Sequence, residues 1–559
     1  MNSMKKYCIF FIIFLVTNSI SAQERVKKIE FYGNARTNLL HQSLEDDKDT
    51  LNPTKANYGH SLIDLGVLIR PSSKTEIITE LRMRNEFGGF YGGAVTFGIR
   101  RLTLKGVVNN AIRYKVGDID LKLTPYTLFN NGYQDVVNEA TVFDAAREVV
   151  DYEHFFGDNQ WRRQGLQTEF GFIIDQSIFK DLNFNLFMTR NNAANPGTNT
   201  PEQLLSGSSI GLTTDYGHLN FNTSYLHDLK NTVTDLELFY NLVNTVSAEI
   251  NLPQYPNMSI VAETGMSSEA YEDVLNETTD EKVDVFYNAG LKFNHSKKYT
   301  AQLNSMYTGP VFRSVSAQNI RLNNSSSSQI FPVVNNNQLR QMGLMDYLYN
   351  DVQYNKTLDN SLDIYNPVFS NVLPYGLATP NRTGFSAHVS NYQISDKIDL
   401  DAKAYMLSEV VGSGTTELKS FLSAEASINL NYQLFQVNAG VKMEKTSRDG
   451  ADYETIDLQS ILIDFGFDFN LTDNITLLYG SKIHYADGNE LMPSFDNTNY
   501  FRLFEPINFD EEFQTLNALG VKVGFSEKST LTISASSFVQ YKDINYQLNQ
   551  FNVLYKLNF

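Results

Sequence analysis

From Phe551 to the end of the chain, large apolar residues fall at every second position: Phe551, Val553, Tyr555, Leu557 and Phe559. Between them stand Asn552, Leu554, Lys556 and Asn558, so Leu554 alone interrupts the polar set. A period of two marks a strand with one greasy face. The same alternation recurs upstream. Ile461, Ile463, Phe465, Phe467, Phe469 and Leu471 share one face, with Asp464, Gly466, Asp468 and Asn470 on the other. Phe435, Val437, Ala439, Val441 and Met443 alternate with Gln436, Asn438, Lys442 and Glu444. Val283, Val285, Tyr287, Ala289, Leu291 and Phe293 repeat the theme against Asp284, Asn288 and Lys292. Charge on the minor face of nearly every strand would be costly in a dry sandwich core. It suits a sheet whose second face is wet.

Two kinds of connection alternate between these segments. One is short and rich in turn formers: Pro71 to Lys74, Pro253 to Asn257, Asn294 to Lys298, Ser395 to Lys397, Thr472 to Asn474, and Ser526 to Ser529. The other is polar and mostly longer: 41–59, 129–165, 191–205, 269–281, 310–382 and 488–509. Roughly 22 segments of about 9–11 residues result, with a range of about 18–24, the length a tilted membrane-crossing strand needs. An even number places both termini on one side. The apolar parity slips between Ile99 and Leu102, and again between Val116 and Ile119 at Gly117. A bulge or an extra turn accounts for each slip. The expected fold is all-β: a single closed antiparallel transmembrane β-barrel, with short periplasmic turns and long extracellular loops.

The N-terminus sharpens this. Lys5 and Lys6 precede an apolar run from Tyr7 to Val16, followed by Ser21-Ala22-Gln23. That is a secretory signal peptide over 1–22, cleaved after Ala22, and the run is too short for a membrane helix. The barrel is then expected over 23–559, with no room for an N-terminal plug domain and no tail beyond Phe559. The only cysteine, Cys8, lies inside the apolar run, so disulfides, thiolate metal sites and cysteine nucleophiles are excluded from the mature chain. Tyr (31) and Phe (38) are abundant beside a single Trp, a load that the two interfacial girdles of a barrel accommodate. The formal charge is −18, and losing Lys5 and Lys6 takes it to −20, an acidic balance that argues against nucleic acid.

These features together resemble bacterial outer-membrane β-barrel proteins of the porin-like kind. The terminal strand ending on Phe559 resembles the signal that barrel-assembly machinery reads. The Asn-, Phe- and Tyr-rich style and the Ala22-Gln23 junction are similar to proteins from Bacteroidota. The resemblance implies a Gram-negative outer-membrane location. It implies outer-membrane lipid and lipopolysaccharide as surroundings, and barrel-assembly machinery as a partner through the Phe559 strand.

Candidate chemistry lies on the wet face and in two loops. Early strands carry Arg36, Arg82 and Arg84 inward, with Arg100, Arg101, Arg113 and Lys115 nearby. Strands between 398 and 470 carry Asp399, Asp401, Glu425, Glu444, Asp464 and Asp468. Left unpaired on separate wall sectors, these sets would impose a transverse field across a pore. Local pairing with Glu76, Glu80, Glu86 or Asp118 is the alternative. In loop 310–382, Leu339, Met342, Met345, Leu348 and Tyr349 stand at helical spacing. This stripe is open to two placements, as a constriction inside the barrel or as an external cap. In loop 129–165, Phe143 to Val150 is a candidate short helix. After it come Tyr152, Phe155, Phe156 and Trp161 beside Arg162 and Arg163, suited either to packing or to stacking on sugars. Gly207 to Gly211 matches G-x-S-x-G but inside an alternating segment, without the strand-to-helix elbow that motif needs. Eight scattered histidines give no metal pair. No enzyme activity, cofactor or metal is expected.

Three functions follow, in this order. The first is a porin-like channel for small polar or charged solutes, its lumen narrowed by inward-folded loops. The second is a non-transporting barrel serving as a structural, assembly or secretion-complex component with docking loops. The third is a hydrolase with a site at the barrel rim.

Overall fold

The computed structural model describes residues 28–46, 54–87, 95–129, 139–154, 161–176, 178–195, 197, 200–230, 237–274, 276–295, 299–318, 344–348, 358, 362, 371–495, 501–541 and 546–559. Residues 1–22, expected to be a signal peptide, lie outside them. The strands are β1 Ile29–Asp46, β2 Thr54–Ser72, β3 Thr75–Glu86, β4 Val95–Val108, β5 Ile112–Leu121, β6 Trp161–Gln176, β7 Phe179–Asn192, β8 Glu202–Thr214, β9 Gly217–Leu229, β10 Glu237–Leu252 and β11 Tyr255–Asp273. They continue as β12 Thr278–His295, β13 Tyr299–Thr308, β14 Arg382–Ser395, β15 Ile398–Ser408, β16 Ser420–Asn431, β17 Phe435–Arg448, β18 Ile456–Thr472, β19 Ile475–Phe495, β20 Phe501–Ser526, β21 Ser529–Tyr541 and β22 Tyr546–Asn558. Among the described residues one helix, α1 Thr141–His154, and two 3₁₀ turns, η1 Leu344–Leu348 and η2 Gly376–Ala378, interrupt them.

Each strand pairs antiparallel with the next, and β1 pairs with β22, so the 22 strands close on themselves. Closure removes the edges that an open sheet would expose. The outward face carries Phe31, Phe97, Met406, Phe465 and Phe467, with Phe97 76% and Met406 66% exposed. Such a surface matches lipid. Inward positions carry Arg36, Asn38, Asp64, Glu444 and Gln514, which belong to a wet lumen. The seam is held by backbone hydrogen bonds in both directions: Phe559 N–H donates to Gly33 O at 3.0 Å and Gly33 N–H to Phe559 O at 2.9 Å. The Phe559 ring lies over Gly33, where a Cβ would collide with it. Leu554, the one break in the terminal pattern, is 3% exposed on the lumen face.

The first parity slip is a bulge. Leu81 pairs with Ile99 and Glu80 with Arg101, leaving Arg100 as the extra residue, turned inward and 9% exposed. At the second, Gly117 takes φ +98°, and a Cβ there would strike Leu102 O. Segment 488–509, expected to be a loop, is mostly strand: β19 runs to Phe495 and β20 starts at Phe501. Its polarity reflects a hairpin that continues past the membrane rather than irregular backbone. Replacing Gly33 with Leu should displace the Phe559 ring and weaken the seam by about 1–3 kcal/mol. The check is a lower temperature for loss of heat-modifiable mobility on SDS gels.

Candidate functional site

A barrel of 22 strands is too wide for wall side chains to fill. Here the β5–β6 and β13–β14 connections enter the lumen instead. In the first, Val142, Phe143, Val149 and Val150 fall on one side of α1 and are buried. Asp144 in the first turn complements the helix dipole. The N-terminal end of α1 rests on Gly466 of β18, Gly480 of β19 and Gly520 of β20. A Cβ at Gly466 would lie 2.6 Å from the Ala140 Cβ, one at Gly480 2.5 Å from Val142 Cγ1, and one at Gly520 3.3 Å from Val142 Cγ2. Gly466 and Gly480 face each other across the β18–β19 ladder. These glycines hollow the wall so that the helix can approach closely.

Charge fastens the same end. Lys482, wholly buried, donates to Asp464 at 2.7 Å and lies 3.3 Å from Glu139. Its ammonium sits 4.3 Å from the Tyr347 ring centroid and 5.5 Å from that of Phe143. Arg147 pairs with Glu139. At the far end Glu153 pairs with Arg36 at 2.6 Å and with Arg82. Arg100, placed by the bulge, donates to Tyr152 O and covers the Tyr152 ring at 3.9 Å, while Tyr152 Oη donates to Asp64 at 2.6 Å. Midway, Lys556 of β22 pairs with Glu148. The helix therefore bridges β18–β20 to β1–β4 across the β22–β1 seam.

The described parts of the second connection also pack inside the barrel. Residues 312–318 are all buried against β9–β11. Arg313 N–H donates to Ser267 Oγ at 3.0 Å, and Asn241 holds both Arg313 O and Val315 N–H. Ser314 and Ser316 donate to Thr127 O, tying the two connections together. The η1 turn brings Leu344, Tyr347 and Leu348 onto Phe143, Leu516, Phe538 and Leu548. Farther along, Asn371 donates to Glu444, Thr446 and Glu490, and Arg382 donates to Asn371 O and Val372 O. Of the five stripe residues, Leu348 packs inside the barrel, Met345 lies in η1, and Leu339, Met342 and Tyr349 lie outside the described residues. The external-cap placement does not hold for η1. In the β5–β6 connection, Tyr152 packs against Arg100; Phe155 and Phe156 lie outside the described residues.

The charged residues singled out from the sequence do not leave two unpaired sectors. Arg82 pairs with Asp64, Arg84 with Glu86, Glu425 with Lys403, Glu444 with Lys442 and Asp464 with Lys482. Pairing of this kind cancels most of a transverse field, because each charge meets its opposite within a few ångströms. Asp399 and Asp401 share the inward parity of β15, where Asp401 accepts from Asn391 N–H at 2.8 Å, and Asp468 is buried on β18. The sequence reading missed Lys482, Asp64 and the cradle formed by the three glycines, whereas Glu80, named as a local partner, does pair with Arg100. A signal was present: glycines at wet-face positions on consecutive strands.

No protein-family model matches the chain, and no curated protein is similar to it in sequence. Among solved structures it is similar to the copper transporter OprC, at 9% identity over 96% of this chain and 81% of that one, with a TM-score of 0.50. The fold is that of an outer-membrane β-barrel. Looser likenesses include the FrpB iron transporter from Neisseria meningitidis (7% identity, 96% and 83% covered, TM-score 0.44) and OpdQ of Pseudomonas aeruginosa (10% identity, 96% and 100% covered, TM-score 0.34).

In this outer-membrane barrel the docked helix carries two carboxyls shifted in opposite directions. Burial raises Glu153, but Arg36 and Arg82 outweigh it and hold the carboxyl down at about 2. Burial, with Glu139 and Glu148 nearby, pushes Asp144 up to about 7. A depressed Glu153 favours docking above the ordinary carboxylate range, and that contribution is lost as pH falls toward 2. A raised Asp144 favours docking at low pH, and that contribution is lost as pH rises toward 7. Docking should therefore be tightest near pH ~4.5 and weaken on both sides. Hydrogen exchange of the α1 amides, corrected for the intrinsic pH dependence of exchange, should trace this profile, and Asp144→Asn should flatten its arm between about 4.5 and 7. Gly480→Leu should speed exchange of the α1 amides at every pH by forcing the helix off the wall, while the barrel keeps its heat-modifiable mobility.

Proposed function

We propose that this chain is an outer-membrane channel for small polar or charged solutes, with its lumen narrowed by the two inward-folded connections. The observation that carries this reading is the combination of a polar, charge-lined wall with connections that occupy the lumen yet leave polar cavities beside them. One such cavity, of about 1140 Å³, lies between β4 and β13; a second, of about 540 Å³, lies between α1 and the β1–β4 wall. A wall built for hydrocarbon-tight closure would not keep such wet space. The paired charges hold the connections in place and reduce the selectivity that bare charge would impose.

A second reading, a non-transporting barrel acting in assembly or secretion, draws support from the depth of burial of residues 312–318. Planar-bilayer recording separates the two. Wild-type protein should give small single-channel currents, and deletion of 325–350 should enlarge them severalfold. Silence from both proteins, each inserted and heat-modifiable, would reject the channel and leave the second reading.

A further inference from the structure

The larger cavity has a chemistry of its own. Its lining lies at the strand ends next to the short turns: Asp181 and Asn183 begin β7, Thr213 ends β8, His218 and Asn220 begin β9, and Glu249 ends β10. It is therefore a bowl at the short-turn end of the barrel. Thr124 and Tyr126 of the inward β5–β6 connection roof it, with Thr124 Oγ1 donating to Glu263 at 2.5 Å and Asn288 Nδ2 donating to Tyr126 Oη at 3.3 Å.

Side-chain amides dominate the bowl, and the wall is shaped around them. Asn183 pairs across the ladder with Gly171, Asn220 with Gly211, and Asn304 with Gly290. A Cβ at Gly171 or Gly290 would collide with the facing amide oxygen, and one at Gly211 would lie 2.9 Å from Asn220 Oδ1. The same glycine–asparagine pair thus occurs on three hairpins, each time clearing room for an amide to lie along the wall. Asn185, Asn222 and Asn288 extend the set.

The bowl's carboxylates already have partners. Glu249 is 2.9 Å from Lys292 and Glu169 is 3.5 Å from Lys115. Asp181 accepts from Asn183 at 2.6 Å and Thr213 at 2.9 Å, and Glu263 accepts from Thr124. Arg113 and Lys122 also line the bowl and, with Lys115 and Lys292, match its carboxylates Glu169, Asp181, Glu249 and Glu263 in number, so neither sign of charge is in excess for an ion to meet. An amide offers a donor and an acceptor together, as a hydroxyl does, and is cheaper to desolvate than a charge. The volume exceeds the about 300–1,000 Å³ usual for a drug-sized ligand.

We propose that this bowl is a binding site for an uncharged, polyhydroxylated solute the size of a short oligosaccharide. The proposal rests on the channel reading for its role in transport, though not for binding itself. Phe170 and Phe184 stack on each other, their centroids 4.9 Å apart, and Tyr126 is buried against Phe286. These rings offer the solute no stacking face. Affinity should therefore be weak, in the millimolar range, which suits a site that must also release its cargo.

The test is saturation-transfer NMR on the full-length protein in detergent micelles. Maltotriose serves as the neutral probe and trigalacturonate as the anionic probe of matched size. Maltotriose should bind, and trigalacturonate should bind at least tenfold more weakly. Asn220→Leu and Asn304→Leu should each weaken maltotriose about fivefold, as expected for one lost hydrogen bond. Equal or tighter binding of trigalacturonate, or no loss in either variant that keeps heat-modifiable mobility, would overturn the proposal. Maltotriose binding without single-channel current would keep the site and remove the channel. Current without maltotriose binding would do the reverse.

Discussion

Closing the β1–β22 seam is the constraint on which the rest depends. Once 22 strands form a ring, their outward apolar residues face lipid and their inward residues enclose more space than side chains can fill. The molecule answers with backbone, sending two inter-strand connections inward. Every polar group these carry must then find a partner on the wall or on the other connection. That demand accounts for Asn241 holding both Arg313 O and Val315 N–H, and for Ser314 and Ser316 meeting Thr127 O.

The wall and the inward connections are matched in two ways. On the β18–β20 side the match is steric, with glycines making space and Leu516, Phe538 and Leu548 supplying an apolar floor on an otherwise polar face. On the β1–β4 side it is ionic, with Arg36, Arg82 and Arg100 receiving the C-terminal turn of α1. The β18–β20 side carries ion pairs as well, Lys482 with Asp464 and Glu139, beside the glycine cradle. Across the lumen, glycine is used to another end, leaving room for the facing amides rather than admitting a helix.

Much of the barrel could be read from the chain because period-two alternation is local. Each strand declares its own two faces, and turn residues such as Thr472 to Asn474 mark their ends without reference to distant partners. Even the short helix at Phe143 to Val150 was visible as an apolar stripe. The partners of Arg36 and Arg82 were not, because Glu153 is remote in sequence and reaches them only after the connection folds inward. The loop expected at 488–509 went astray for a related reason: strand pairing above the membrane needs no greasy face, so hydropathy leaves no trace of it.

By itself, then, the sequence determined the one-sided strands, the even-numbered antiparallel order and the apolar exterior, since each follows from neighbours along the backbone and from contact with lipid. Tertiary structure alone decided which way the connections turned, that Arg100 points inward through a bulge, and that Gly466, Gly480 and Gly520 form one cradle. Those outcomes depend on register between strands far apart in the chain, and register acquires meaning only once the ring has closed.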